Sequence, residues 1–333
     1  MSNAATAREG LYLRSYLAPL SGMLERPDVT DIYVNRPHEL WIETTSGAIE
    51  RHEAPALDEG TLSRLARQIA ALSHQGISRE HPLLSATLPD GARVQIVGPP
   101  ATRGSLALAI RKHVEPDLTL ADYVATGAMA ETAVRTGLER AGVESELAAL
   151  LEAGDVAGML ARAVTARKNI MISGGTSTGK TTFLNALMRE IPESERLILI
   201  EDTPELNLRH LNGVGLLAAR SALGEAHVTA NDLVAASLRM RPDRIILGEL
   251  RGEEAFAFLR AVNTGHPGSM TTVHSDSAEG AVEQVALLVL QAGTRLSRED
   301  VHHYVKQTVD VFVQLGRTGG RRHVAEVLLN RPG

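Results

Sequence analysis

The sequence predicts an α/β protein of unlike parts: an N-terminal α+β domain with a small sheet, a linker, and a C-terminal P-loop domain on a mainly parallel sheet. Three observations predict it. Short alternating runs crowd the first hundred residues; near-continuous apolar runs separated by helical segments fill the chain from Lys168 onward; and "GGTSTGKT", Gly174 to Thr181, stands between one such run and a helical segment.

In chain order, "DIYVN", "ELWIET" and "GAIER" read as strands. "TLSRLARQIAALSHQ" follows with helical period, placing Leu62, Leu65, Ile69 and Leu72 on one face. "LPDGARVQIVGPP" carries an Asp90-Gly91 turn signal before an alternating strand, and this half ends near "SLALAIRKH". The next stretch is rich in Ala, Glu and Leu, broken by Gly127, Gly137, Gly142 and Gly154, and gives no strand signal. The expected division is 1–115, a linker over 116–155, and 156–333. In the last part "NIMIS", "RLILIE", "RIILGE", "SMTTVH" and "DVFVQL" read as strands covered on both faces, which puts loops and ligands at their carboxyl ends.

A chain of 333 residues suits two domains, and 44% hydrophobic with 22% charged residues is ordinary for a packed globular protein. No window reaches the roughly 18 to 20 apolar residues of a membrane span, and the opening residues lack a secretory core, so a cytoplasmic location is expected. With no cysteine there is neither disulfide nor thiolate metal site. A net charge of -6 argues against the basic surface of a nonspecific nucleic-acid binder, and no specific nucleic acid is expected as partner. Arg317, Arg321 and Arg322 read as solvated surface.

The motif at 174–181 has the context that G-x-x-x-x-G-K-[ST] requires, a strand before it and "TFLNALMRE" after it. Gly174, Gly175 and Gly179 let the chain curl with its N–H groups inward, and Thr176, Ser177 and Thr178 complete the loop. Lys180 is placed to reach the β- and γ-phosphates of ATP, the Thr181 hydroxyl to ligate Mg2+, and Thr182 follows them.

Two apolar runs end in acid. Glu201, Asp202 and Glu205 follow one and Glu249 the other, so these carboxylates converge on the phosphate edge. Either Glu205 or Glu249 suits the task of activating water, and Glu201 or Glu249 could hold Mg2+ through water. Gly248 stands where the second nucleotide motif usually has an Asp. For Asp202 a solvent-facing strand end is an equal reading. "SMTTVH" brings His274 to the same edge, where imidazole can contact the γ-phosphate, while Ser275, Asp276 and Ser277 cap the following helix. His266 shapes a turn, Trp41 packs on a strand, Leu287, Leu288 and Leu290 are helix core, and His302 with His303 has no partner at metal-ligand spacing.

The series "GGTSTGKTT", "LILIEDTPEL", "LRMRPDRIILGELRG" and "NTGHPGSMTTVH" resembles the Walker A, Asp box, Walker B and His box of the type II/IV secretion traffic ATPase superfamily. The nearest pattern is the P-type DNA-transfer ATPase branch of type IV secretion systems, the Vir-type hexameric traffic ATPases. "LPDGARVQIVGPP" and "LALAIRKH" extend the resemblance into the N-terminal half. It implies a RecA-like C-terminal domain, a homo-hexameric ring, and Mg2+-dependent ATP hydrolysis driving pilus biogenesis or substrate translocation. Its partners would be inner-membrane components of the machine, with the protein peripheral at the cytoplasmic face. It also implies that Arg93 and Arg111 reach the nucleotide phosphates, through a bidentate fork suited to phosphate. Arg239, Arg241 and Arg251 flank the Glu249 strand and could act across a subunit interface. Pilus extension, retraction or tight-adherence motors share the four boxes, and a nucleotide-gated docking ring with little turnover is the alternative of another class. A helicase-type motor fits poorly with 3% aromatic residues.

Overall fold

The computed structural model describes residues 13, 15–112, 119, 124–125, 142–219 and 224–330. Most of the linker expected over 116–155, including Gly127 and Gly137, lies outside the described residues.

The N-terminal half is an antiparallel sheet of β1 (Val29–Val34), β2 (Glu39–Thr44), β3 (Ile49–Glu53), β4 (Leu83–Thr87), β5 (Arg93–Val97) and β6 (Ala107–Arg111), in the order β3-β2-β1-β6-β5-β4. Helix α1 (Glu59–Leu72) starts where Asp58 accepts the Thr61 N–H at 2.6 Å, and buries Leu62, Leu65 and Ile69. Those residues join Ile32, Ile42, Ile96 and Ile110 in one apolar cluster. At the Asp90-Gly91 turn, Gly91 has φ +88°, a conformation that favours glycine.

Two helices, α2 (Val143–Glu152) and α3 (Val156–Thr165), open the C-terminal half. Alternating strands and helices follow: β7 (Ile170–Gly174), α4 (Lys180–Met188), β8 (Leu197–Glu201), β9 (Gly213–Leu217), α5 (Ala230–Ser237) and β10 (Arg244–Leu250). The chain continues through α6 (Glu254–Asn263), β11 (Met270–Val273), α7 (Ala278–Gln291), α8 (Arg298–Thr308), β12 (Val311–Thr318) and β13 (Arg321–Leu329). The sheet order is β13-β12-β7-β11-β10-β8-β9, parallel throughout except for β13. Helices cover both faces, with α2, α3 and α4 against one and α5 to α8 against the other. Helix α2, inside the expected linker, belongs to this half because its fully buried Leu147 packs with Met159, Leu184 and Ile172. One expected core position turns outward: Leu287 of α7 is 49% exposed, since Val285, Ala286, Leu288 and Val289 already fill the buried stripe.

The two halves share a third body of packing. Tyr33, Val97, Ala107 and Ala109 sit in one cluster with Val214, Leu216 and Leu233. Beside them the fully buried Arg196 stacks 4.1 Å from the Tyr33 ring centre and donates to Asn35 Oδ1 at 2.7 Å, Asn212 Oδ1 at 2.5 Å and the Met240 carbonyl at 3.0 Å. Burial pushes its pKa down to about 10, so it keeps its charge at neutral pH. Arg241 reaches across to Glu43 at 2.5 Å. Among the described residues no helix is long and apolar enough to cross a membrane.

Candidate functional site

The phosphate loop is shaped by positions where a side chain or ordinary backbone would not fit. Gly179 has φ +92° and Ser177 φ +62°, which turns the loop before α4 begins at Lys180. A Cβ at Gly174 would strike Thr178 and come within 3.2 Å of the Leu315 carbonyl, so the loop packs against β12 only with glycine there. Thr178 Oγ1 donates to the Gly175 carbonyl at 2.9 Å and closes the turn. Gly175 and residues 177–182, Thr182 included, line a cavity of about 340 Å3; Gly174 is buried beneath it and Thr176 points to solvent.

The acids converge there as the parallel sheet requires. Glu201, Asp202, Glu205 and Glu249 all line the cavity. Lys180 Nζ donates to the Gly174 carbonyl at 2.9 Å and lies 3.7 Å from Glu249 Oε1 and 3.5 Å from His274 Nδ1. Thr181 Oγ1 donates to Glu205 Oε2 at 3.2 Å, and Asn185 Nδ2 holds the Glu205 carbonyl at 3.1 Å. Arg251 bridges Glu249 at 2.5 Å and Asp202 at 2.5 Å. Burial opposes the Arg251 charge, but these two carboxylates outweigh it and hold its pKa above the ordinary value. His274 follows β11 as expected, while Ser277 caps α7 by accepting the Gly280 N–H at 2.9 Å.

Other expectations are corrected. Glu201 is not a free metal-facing carboxylate. Its side chain is 3% exposed, Oε1 accepts the N–H groups of Glu205 at 2.9 Å and Leu206 at 2.7 Å, and Oε2 pairs with Arg103. Arg93 and Arg111 do not line the cavity of their own chain, because β5 and β6 carry them to another edge of the molecule. They are register partners; Arg111 faces the buried Asp31 at 3.3 Å, and Arg93 lines a separate cavity of about 520 Å3 with Arg239. Arg241, expected to act across a subunit interface, pairs within its own chain with Glu43.

Two residues that the sequence does not single out as site residues reach this edge. Arg322, on β13, donates through Nε to the Ser177 carbonyl at 3.0 Å and lines the cavity. Arg103 arrives from the N-terminal half, and its signal in the sequence is indirect: glycines inside strands at 215 and 248, which mark close approach.

With this geometry in view, comparison with known proteins gives a consistent picture. The family model described as "Type II/IV secretion system protein" matches residues 15–319. The type IV secretion system protein VirB11 of Brucella suis biovar 1 is 41% identical over 332 residues, covering 97% of this chain and 91% of that protein. VirB11 of Bartonella quintana is 39% identical over 324 residues, covering 93% and 91%. The crystal structure of the VirB11 ATPase from the Brucella suis type IV secretion system in complex with sulphate aligns with a TM-score of 0.91 at 40% identity, covering 98% of this chain and 97% of that one.

Proposed function

The chain belongs to the type II/IV secretion system protein family, and from that premise we propose that it works as the hexameric, Mg2+-dependent ATPase of a type IV secretion machine, turning ATP hydrolysis into domain motion. That it is a secretion ATPase follows from a family match over residues 15–319 and from relatives near 40% identity along almost its whole length. One observation carries the finer reading: the P-loop lysine lies within 4 Å of both Glu249 and His274, with the P-loop threonine bonded to Glu205.

ATP phosphates entering the cavity would take over the Lys180 ammonium, which now donates to the loop's own carbonyls, and meet the N–H groups at the start of α4. The Thr181 hydroxyl and the Glu205 carboxylate form a hard, all-oxygen pair, which fits Mg2+ completed by phosphate and water. When bound, Mg2+ neutralises charge on the β- and γ-phosphates. Glu249, steadied by Arg251, is placed to orient and deprotonate the attacking water, and His274 to contact the γ-phosphate and register its loss. Glu205 is the other carboxylate that can serve the water.

Arg93 and Arg111 face away from their own chain's cavity. In a ring they would serve a neighbour's nucleotide, as arginines supplied in trans do elsewhere, with turnover gains of about a thousandfold. The machine's inner-membrane components would be the partners, and the protein would sit peripherally at the cytoplasmic face.

The test is steady-state phosphate release with Mg2+, run beside sizing of the same sample, for the wild type, Lys180→Ala and Glu249→Gln. A ring that turns over ATP and loses at least about a hundredfold in kcat in both variants is expected. A verified ATP-bound ring without multiple turnover would replace this reading with a nucleotide-gated docking ring.

A further inference from the structure

The N-terminal half touches the catalytic edge of the parallel sheet through a loop, residues 98–106. Its backbone runs beside β9: Leu217 N–H donates to the Ala101 carbonyl at 2.9 Å, Arg103 N–H to the Gly215 carbonyl at 2.9 Å, and Thr102 bridges Leu216. From this strip the Arg103 side chain crosses β9. Its Nη1 donates to the Leu206 carbonyl at 2.8 Å and its Nη2 pairs with Glu201 Oε2.

The consequence lies one residue along. Glu201 holds the N–H groups of Glu205 and Leu206, and Arg103 holds the carbonyl of Leu206. The Glu205–Leu206 segment is therefore gripped at both amides and at a carbonyl, and the Glu205 side chain so aimed meets Thr181.

Two glycines make the passage. A Cβ at Gly215 would run into the Arg103 side chain, 2.6 Å from its Nε, and a Cβ at Gly248 would approach Glu201 Cγ to 3.2 Å. Gly215 weakens the strand pattern of β9, and Gly248 replaces the usual acid of the second nucleotide motif. Gly215 leaves space for Arg103 and Gly248 for Glu201, the two members of the pair.

We infer that Arg103 is a positioning residue for hydrolysis: a strut from the N-terminal half that, through Glu201 and Leu206, sets Glu205 against Thr181. This rests on the proposed role of Glu205 at the Mg2+ and water end of the site. Arginine is required because one fork must serve a carboxylate and a carbonyl at once, which a lysine ammonium on a flexible stem does poorly.

The experiment is a double-mutant cycle on the full-length ring, measuring kcat and KM for ATP in the wild type, Arg103→Ala, Glu205→Gln and the double variant. Arg103→Ala should lower kcat by about 10- to 100-fold, the range for displacing a catalytic group by an ångström, and leave KM within about threefold. In the Glu205→Gln background the same change should do nothing further, because its route to the chemistry is already gone. Effects that multiply, or a raised KM with kcat unchanged, would overturn the proposal. If Arg103→Ala does not assemble, Arg103→Lys replaces it and must still lower kcat; wild-type turnover by Arg103→Lys also overturns it. A Glu205→Gln variant with unaltered kcat would remove the Glu205 role itself and take this inference with it, whereas an impaired Glu205→Gln beside a multiplicative cycle removes the inference alone.

Discussion

Gly248→Asp gives the second nucleotide motif back its usual acid, and it should slow hydrolysis sharply. The new Cβ would stand 3.2 Å from Glu201 Cγ and 3.6 Å from the Ile200 carbonyl, in a slot where Glu201 is 3% exposed. The added carboxylate would lie about 5 Å from that of Glu201, a repulsion of about 3 kcal/mol at an effective dielectric of about 20. Crowding adds about 1 kcal/mol or more. Against this stand the two N–H bonds from Glu205 and Leu206, worth about 1.5–3 kcal/mol each as charge-assisted bonds. Repulsion and crowding are of the same size as the two N–H bonds, so the Glu201 carboxylate is drawn off both amides toward its remaining partner Arg103 and Glu205 loses its aim. We expect kcat to fall by about a hundredfold, equivalent to about 2.7 kcal/mol. Gly248→Ala, which requires Glu201 to shift only a few tenths of an ångström, should lie between the two. Phosphate release at saturating MgATP, with melting curves to verify folding, reads the order directly. A folded Gly248→Asp ring within threefold of wild-type kcat would refute the reasoning.

Two further outcomes follow from contacts away from that slot. Arg196→Ala strips the buried donor from Asn35 Oδ1 and the Met240 carbonyl, at about 1–3 kcal/mol for each orphaned acceptor, and removes a desolvated stacking contact with Tyr33 worth about 2 kcal/mol. Asn212 Oδ1 keeps a donor from Asn35 at 3.1 Å. Urea unfolding should show about 4–8 kcal/mol lost, nearer the lower figure if water enters the space, and a loss under 1 kcal/mol would contradict the description of this interface. Arg322→Ala removes a guanidinium from the lip of the cavity and its bond to Ser177, so KM for ATP should rise about three- to tenfold with kcat nearly kept; an unchanged KM would return Arg322 to the solvated surface.

The five apolar strands of the C-terminal sheet were readable because a parallel strand buried on both faces must be apolar almost throughout, as "LILIE" and "RIILGEL" are. The convergence of Glu201, Glu205, Glu249 and His274 on the phosphate loop was readable for the same topological reason. Two strands were not. β9, "GVGLL", spends two of its five positions on glycine, and Gly215 is there for the Arg103 side chain rather than for the strand. β13 is an edge strand whose residues are mostly exposed, so "RRHVAEVLL" has no buried face to impose a pattern, and Arg322 looked like surface. Arg103 and Glu201 lie 98 positions apart on different domains. Periodicity reports the face a residue turns to its own layer and carries nothing about a partner so distant.

The placement of the two interdomain networks bears on where motion can occur. At the amino ends of β8 and β10, Arg196 and Arg241 bind the N-terminal half through Asn35, Tyr33 and Glu43, and an apolar cluster continues from Tyr33 to Leu216. Near the carboxyl ends Arg103, from the N-terminal half, binds Glu201 and Leu206 of the C-terminal half. Pulling the N-terminal half off its own C-terminal half would break both ends at once, the Arg196 and Arg103 contacts together with the apolar cluster between them. In the proposed ring, closure over ATP between one chain and the next would leave these contacts intact, and each chain's own N-terminal half would move with its catalytic loop as one body. Under that reading Arg103 would keep Glu205 aimed while the body shifts, and Arg93 and Arg111, which do not line their own chain's cavity, would meet a neighbour's once Arg111 exchanges Asp31 for phosphate.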